Sequence, residues 1–290
     1  MIKLINKIII KIFPPQIAWK LKNKYRSLRS SFLPKISKRD LQKILSDQMG
    51  LKRGDTVFIH SSITKLNLGF PAEDILDMLL SVVGQEGTLL FPCWHFRSRA
   101  EDYLNSTNKI FNIRKTHSKL GFITEQARRH KDALRSLHPT NSVVAIGKHA
   151  KELTEDHHLD IYPCGEKSPF FKMMKYDAKI IGLGVSVENF TFCHCVEDVM
   201  KDTFPVKTRN DKKYDVKVID VNGIEDNVTT LVASKNIQDR NLVRFFKKNI
   251  SYSACKSFSY KHSDFFIADS IKAFDEIKNL ALEGKTIYNA

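Results

Sequence analysis

A short apolar segment that ends in a glycine turn and a polar helix constrains this chain more than any other feature. The segment from Ile180 to Leu183 fits a buried strand, and Gly184 indicates the turn behind it. His194 and Glu197 lie three residues apart on the helix that follows, so their side chains can share one face. A histidine beside a carboxylate, just past a buried strand, is the usual form of a general base in an α/β protein. The other interpretation is a core histidine with a surface glutamate, and for a single histidine it is the commoner one.

Strand and helix patterns alternate along most of the chain, which is typical of a parallel or mixed sheet covered by helices. The apolar spacing predicts strands over residues 56–59, 88–91, 143–146 and 178–183, and helices over 41–49, 70–83, 120–130, 150–155 and 168–175. After residue 204 the pattern changes to strict alternation, with a hairpin whose turn is Asn222-Gly223. A helix over 238–249 and an amphipathic helix over 263–282 complete the chain. We therefore expect an α/β fold with a mixed central sheet and a small β-rich C-terminal lobe.

The domain boundary follows from the distribution of charge. The chain has 290 residues and a net charge of +15, and no acidic residue precedes Asp40. Ser37 and Asp40 have the spacing of a helix N-terminal capping box. Because no internal repeat or linker follows, residues 1–36 are predicted to be a basic N-terminal extension and residues 37–290 one compact domain.

The basic extension has two interpretations of equal weight. It could form an interfacial helix that rests on anionic lipid, or it could be a basic appendage that packs on the domain or keeps it in solution. No segment reaches the apolar length of a membrane span or of a secretory signal, and no nucleic-acid recognition motif accompanies the charges. We expect a cytoplasmic protein without a nucleic-acid partner, in which residues 1–30 contact the inner membrane face under the first interpretation.

The cysteines argue against a disulfide framework and against a metal site. There are five of them and no CxxC spacing, which favours free thiols in a reducing compartment, and they are Cys93, Cys164, Cys193, Cys195 and Cys255. Cys193 and Cys195 are too close together for a zinc knuckle, and no second ligand pair follows them. No cation near either cysteine indicates a stabilised thiolate, so an acyl-accepting cysteine is disfavoured.

Five stretches, in this order and spacing, resemble the aminoglycoside 3-N-acetyltransferase family. The resemblance covers roughly residues 40–282. The stretches are Gly54-Asp-Thr-Val-Phe-Ile-His-Ser-Ser62, Gly84-x-x-Gly87-Thr-Leu, Ser118-Lys-Leu-Gly121, Arg135-Ser-Leu-His-Pro-Thr-Asn-Ser142 and Asn189-Phe-Thr-Phe-Cys-His-Cys-Val-Glu197.

The resemblance implies an α/β/α layered sandwich that transfers an acyl group, acetyl above all, from acyl-coenzyme A to the amine of an amino sugar. It implies that His194 is the general base and that Glu197 orients it. It also implies a coenzyme-binding set formed by His60, Ser61, Ser62, Ser118, Arg135, Ser136, His138, Thr140 and Ser142. The 93–114 segment, which would line the acceptor site, departs from the family's pattern, and Cys195 stands where the family commonly has an aromatic residue.

Taken singly, the coenzyme-binding residues have simpler explanations. Ser61 and Ser62 could be ordinary helix caps, and His138 could be a hydrogen-bonded loop residue before a proline. The histidines at 157 and 158 are expected to be solvated. The sequence leaves the oligomeric state open, with a homodimer as one option.

The net charge of the chain indicates which kind of acceptor it attracts. A chain at +15 repels polycations at long range and attracts a dianionic nucleotide-linked amino sugar, so we expect an N-acyltransferase of surface glycan biosynthesis. An aminoglycoside antibiotic is the alternative acceptor. A basic membrane- or nucleic-acid-binding protein without catalysis is the further alternative.

Overall fold

The computed structural model describes residues 32–106, 110–237 and 239–289. The predicted basic extension lies outside these ranges except for residues 32–36. Within the described ranges, no helix has both the length and the apolar character to cross a bilayer.

Seven strands form the main sheet, and three form a smaller one. The strands are β1 (Thr56–Ser61), β2 (Thr88–Pro92), β3 (Phe111–Asn112), β4 (Leu134–Arg135), β5 (Val143–Gly147), β6 (Lys179–Leu183), β7 (Tyr214–Ile219), β8 (Glu225–Thr230), β9 (Cys255–Tyr260) and β10 (Ser263–Asp269). The order in the main sheet is β4-β5-β2-β1-β6-β10-β9, and the smaller sheet is β3-β7-β8. In the main sheet β1 is parallel to both β2 and β6, whereas β5 and β10 run antiparallel to their neighbours, so the sheet is mixed as predicted.

Helices cover both faces of the main sheet. They are α1 (Lys38–Lys43), α2 (Ile63–Leu66), α3 (Asp74–Val83), α4 (Ala100–Ser106), α5 (Phe122–Arg128), α6 (Ala150–Thr154), α7 (Pro169–Lys172), α8 (Cys193–Met200), α9 (Leu242–Asn249) and α10 (Ser270–Leu282). Side chains alternate across β1, so Phe58 packs under α7, α8 and α10 while Val57 and Ile59 pack under α1, α3 and α5. The α/β/α layering is confirmed.

Helix α1 begins as predicted. The Ser37 hydroxyl accepts the backbone N–H of Asp40, and the Asp40 carboxylate accepts the backbone N–H of Ser37, which completes the capping box.

The terminal helix predicted over 263–282 is wrong in its first third. Ser263–Asp269 is a strand that pairs with β6, and the helix begins only at Ser270. Phe265 and Phe266 enter the cores on opposite faces of the sheet. A strand buried on both faces reads as a continuous apolar run, which periodicity does not distinguish from a helix.

The 93–114 segment contains α4 and β3. Strand β3 pairs in parallel with β7 and thereby ties this segment to the predicted hairpin. Phe111, Val218 and Val228 form a small core there. The β-rich lobe therefore includes residues from the middle of the chain as well as from its C-terminal part.

Candidate active site

Helix α8 follows strand β6 at the carboxyl edge of the sheet, after a tight turn at Gly184. Gly184 in that turn has a φ of +69°, and a Cβ there would lie 2.7 Å from the carbonyl oxygen of Ser62. A 3₁₀ turn over Val187–Asn189 follows, and the backbone N–H of His194 donates to the carbonyl of Thr191 as α8 begins. His194 thus lies in the first turn of α8.

His194, Glu197 and Tyr288 form a hydrogen-bonded chain. His194 Nδ1 lies 2.8 Å from Glu197 Oε2, and the Tyr288 hydroxyl donates to Glu197 Oε1 at 2.7 Å. The Glu197 side chain is 2% exposed and that of His194 17%. Because a carboxylate only accepts, Nδ1 carries the proton and Nε2 carries the lone pair. This is the arrangement of a general base with its orienting carboxylate.

The carboxylate of Glu197 stays ionised despite its burial. Burial on its own would raise the pKa of Glu197, but the charge of His194 and its hydrogen bond outweigh burial, and Arg209 and Tyr288 add to them. The pKa of Glu197 therefore lies below its ordinary value. A fixed negative charge at this position holds the imidazole of His194 by its Nδ1–H.

Nε2 of His194 faces a cavity of about 500 Å³ between the main sheet and the β-rich lobe. The cavity is lined by residues from the 93–114 segment, from the loop before β5, from α8 and its approach, and from the segment before α9, among them Trp94, Arg97, Arg99, Thr140, Glu188, Thr191, Arg209 and Arg240. The guanidinium of Arg240 donates to Nε2 from 3.0 Å.

An ion pair between Arg209 and Asp198 lies next to the His194–Glu197 pair on α8. Arg209 binds both oxygens of Asp198 at 2.6 Å, and Asp198 also accepts the backbone N–H of Cys164. Asp198 is fully buried, so Arg209 is held in place as part of the cavity wall.

Cys193, His194 and Glu197 bring three potential metal-ligand atoms within 4.8 Å of one another. The thiol of Cys193 donates to the carbonyl of Phe190, and burial raises its pKa far above the ordinary value. Because Nδ1 and the carboxylate already bind each other, the geometry fits a proton-transfer pair better than a metal site.

Cys193 and Cys195 do not have the environment of a nucleophilic cysteine. Cys195 is fully buried, and burial raises its pKa as well, so neither thiol of α8 has the character of a reactive thiolate.

Six members of the coenzyme-binding set are buried, and the polar groups of Arg135, Ser136, His138 and Ser142 bind within the protein. Arg135 donates to Ser142 Oγ and to the carbonyls of Cys93 and Thr116. Ser142 Oγ donates to the same carbonyl of Cys93. Arg135 therefore ties together three loops instead of presenting its guanidinium to the cavity.

His138 and His157 form a stacked, fully buried pair with ring centroids 4.4 Å apart. The prediction that His157 is solvated is wrong, because its Nε2 donates to the carbonyl of Pro163 and its Nδ1 accepts from Ser136. His138 Nδ1 accepts two backbone N–H groups, one of them from Thr140. Burial lowers the pKa of His157 to about 3 and that of His138 well below its ordinary range.

The remaining members lie at the carboxyl edge of the sheet. His60 is the penultimate residue of β1 and packs against Phe58, and burial lowers its pKa to about 3. Ser61 and Ser62 are half-buried, and their hydroxyls have no hydrogen-bond partner among the described residues. Ser118 Oγ accepts the backbone N–H of Leu120. Of the whole set only Thr140 lines the cavity that His194 faces, and the role of these residues in coenzyme binding stays a prediction.

Sequence reasoning missed two residues of the site. Tyr288 is 91 residues from Glu197, and Arg240 is 46 from His194. No local spacing connects such pairs. The sequence gives no signal for either contact: Arg240 lies within the helix predicted over 238–249, which in the structure begins only at Leu242, and Tyr288 follows the predicted terminal helix.

The fold and the site define an α/β/α protein with a hydrogen-bonded histidine–glutamate pair in the wall of a cavity of about 500 Å³. A family model described as aminoglycoside 3-N-acetyltransferase matches residues 58–280. The chain belongs to this family.

Several curated relatives carry names of the same family. The chain is 29% identical to the SPbeta prophage-derived aminoglycoside N(3')-acetyltransferase-like protein YokD of Bacillus subtilis, over 55% of this chain and 65% of that protein. It is 27% identical to aminoglycoside N(3)-acetyltransferase III of Serratia marcescens, over 60% and 68%. With aminoglycoside N(3)-acetyltransferase IX of Micromonospora chalcea the match covers only 57% of the relative. The chain thus spans less than two thirds of the length of several relatives.

Solved structures share the fold. Aminoglycoside acetyltransferase AAC(3)-Xa superposes with a TM-score of 0.73 at 20% identity, over 92% of this chain and 99% of that one. The binary complex of AAC-IIIb with CoASH has a TM-score of 0.69 at 20% identity, over 86% and 97%.

Proposed function

We propose that this protein transfers an acyl group, acetyl above all, from acyl-coenzyme A to the amine of an amino sugar. The observation that carries the proposal is the hydrogen bond from His194 Nδ1 to Glu197, because it leaves Nε2 as the acceptor atom at the cavity. Family membership and the coenzyme bound to the related AAC-IIIb support the same reaction.

His194 moves the proton. An amine attacks a thioester only when neutral, so Nε2 takes a proton from the amine as the C–N bond forms. The same nitrogen then gives the proton to the sulfur as the C–S bond breaks. Glu197 offsets the positive charge that the imidazole carries between these two transfers. General base catalysis of this kind contributes about 10²–10⁴-fold in rate.

The residues at the sheet's carboxyl edge fit the coenzyme. Acyl-coenzyme A supplies the activated acyl group and presents phosphates and a polar pantetheine arm. Ser61 and Ser62 offer hydroxyls that bind nothing else among the described residues, and ligands of open α/β sheets bind at this edge. Thr140 lines the wall of the cavity where the arm would approach His194.

The names of the relatives favour an aminoglycoside as acceptor. They do not support the nucleotide-linked amino sugar that we expected from the net charge, nor a role in glycan biosynthesis. Membrane contact through residues 1–30 and a homodimeric state stay predictions.

The test is release of coenzyme A from acetyl-coenzyme A in the presence of an acceptor panel. We expect turnover by the full chain and a loss of at least about 100-fold in His194→Ala. His158→Ala is the matched control, since His158 lies outside the cavity, and it should retain activity. Full activity in His194→Ala would remove the histidine from the mechanism. Absence of release with every acceptor would contradict the reaction itself.

A further inference from the structure

The cavity that His194 faces has a surplus of positive charge. Among the described residues that line it there are four arginines, at 97, 99, 209 and 240, and two carboxylates, Glu188 and Glu197. Glu197 is buried and bound to His194, so within the described wall Glu188 at the rim is the one carboxylate that a ligand can reach. A site for a polycation needs several accessible carboxylates, and this wall offers one.

The carboxylates that pair with these arginines do not neutralise all of the positive charge. Asp198 neutralises Arg209, but Arg99 and Lys235 share the single carboxylate of Glu101, at 3.8 and 3.5 Å. Arg97 and Arg240 are exposed, and neither pairs with a carboxylate within the described ranges. Two guanidinium groups with open donor positions therefore point to an anionic ligand, for which arginine is the preferred partner.

Arg240 occupies a critical position. Its Nη1 donates to Nε2 of His194 at 3.0 Å, and Nε2 is the atom that must accept the proton of the amine. While this hydrogen bond is made, the lone pair of the base is engaged. An anionic group on the acceptor gives Arg240 a stronger, charge-assisted partner than a neutral imidazole.

We infer that the acceptor is an amino sugar that carries a phosphate or carboxylate group, and that this group draws Arg240 away from Nε2 and so frees the base. The inference rests on the proposed N-acyl transfer and names the substrate class of the same site. It differs from the acceptor that the relatives' names favour, because it follows from side chains of this cavity. Arg240 acts here as a specificity residue, and the proton still moves only between the amine, Nε2 and the sulfur.

The test compares acceptors that share one ring and one amine. These are glucosamine, glucosamine 6-phosphate, UDP-glucosamine and glucosaminuronic acid, with sisomicin as the polycationic reference. We expect kcat/KM for at least one anionic sugar to exceed those of glucosamine and sisomicin by about tenfold or more, the scale of one charge-assisted hydrogen bond. The phosphate and uronate arms distinguish the two anion classes.

The Arg240→Ala variant tests the coupling to the base. The anionic sugar should lose at least about tenfold in kcat/KM, while glucosamine should gain because Nε2 is no longer capped. Arg244→Ala is the matched control, since Arg244 is exposed on α9 outside the cavity, and it should leave both values unchanged. Arg240→Lys keeps the charge but not the planar donor pair, and should fall between the two.

The outcomes separate the two proposals. Equal or better turnover of sisomicin or glucosamine would overturn the inference and leave N-acyl transfer intact. An unchanged anionic preference in Arg240→Ala would overturn the role of this arginine. No release with any acceptor, together with no binding of acetyl-coenzyme A by calorimetry, would overturn the proposed function as well.

Discussion

One proton decides what His194 can do. The carboxylate of Glu197 holds the proton on Nδ1, so Nε2 carries the lone pair, which accepts a hydrogen bond from Arg240 at the cavity. Tyr288 in turn fixes Glu197 through its other oxygen, so the imidazole is oriented by two successive hydrogen bonds. Such supporting contacts are what hold a catalytic group in its productive geometry.

The Tyr288→Phe substitution tests this support. It removes the hydroxyl that Glu197 Oε1 accepts and leaves the ring in place, so we expect kcat to fall about tenfold with the KM for acetyl-coenzyme A unchanged. Steady-state kinetics would measure both. Tyr252→Phe, at an exposed tyrosine outside this cavity, is the control. A change in KM alone would assign Tyr288 to coenzyme binding instead of positioning.

At the scale of elements, the site depends on the turn between β6 and α8. Strand β6 is held in the sheet between β1 and β10, and α8 packs against α10. The chain must therefore turn back between them, and it begins to do so at Gly184, beside the loop that follows β1. Only a residue without a side chain fits there, because Gly184 combines a left-handed backbone with close contact to Ser62 and Leu66.

The Gly184→Ala substitution should lower the free energy of unfolding by about 2–4 kcal/mol, through the backbone strain and the close contact together. Gly223→Ala is the matched control. Gly223 has a φ of +85°, but no atom of the described residues lies within 4 Å of the place that a Cβ would take, so only the conformational cost of about 1 kcal/mol applies. Urea unfolding of both variants gives the comparison. Equal losses would show that contact with Ser62 costs nothing.

At the scale of the whole molecule, three fully or almost fully buried histidines make the fold acid-sensitive. Burial lowers the pKa of His60 and of His157 to about 3, and lowers that of His138 well below its ordinary range. These groups are neutral in the folded protein. Below about pH 6.5 the unfolded chain binds protons that the folded protein does not, so stability is present above about pH 6.5 and is lost as the pH falls toward about 3.

We expect the free energy of unfolding to fall between about pH 6.5 and 5, by up to about 1.4 kcal/mol per pH unit for each histidine. Urea titrations across this window would measure the slope before the carboxylates begin to titrate. His157→Gln removes one of the three histidines, so it should reduce the pH slope of the free energy of unfolding by the contribution of one histidine. His262→Asn, at an exposed histidine with a left-handed backbone, should not change it. A flat profile in the unmodified protein would show that these histidines take up protons without unfolding.

Much of this protein could be predicted from its sequence, because the relevant signals are local. The capping box at Ser37, the hairpin at Asn222-Gly223 and the pairing of His194 with Glu197 each depend on residues at most a few positions apart. The mixed sheet with helices on both faces followed from alternating periodicities.

Only the tertiary structure decided the rest. The approach of Tyr288 to Glu197 and of Arg240 to His194 depends on how distant segments pack, and so does the burial of Arg135 and His157. Ser263–Asp269 became a strand because β6 had a free edge to pair with, although its own residues fit a helix equally well. The sequence by itself therefore determined the pairing of His194 with Glu197 and the sheet that carries it. The charge that surrounds the base was decided by long-range packing, which has no local signature.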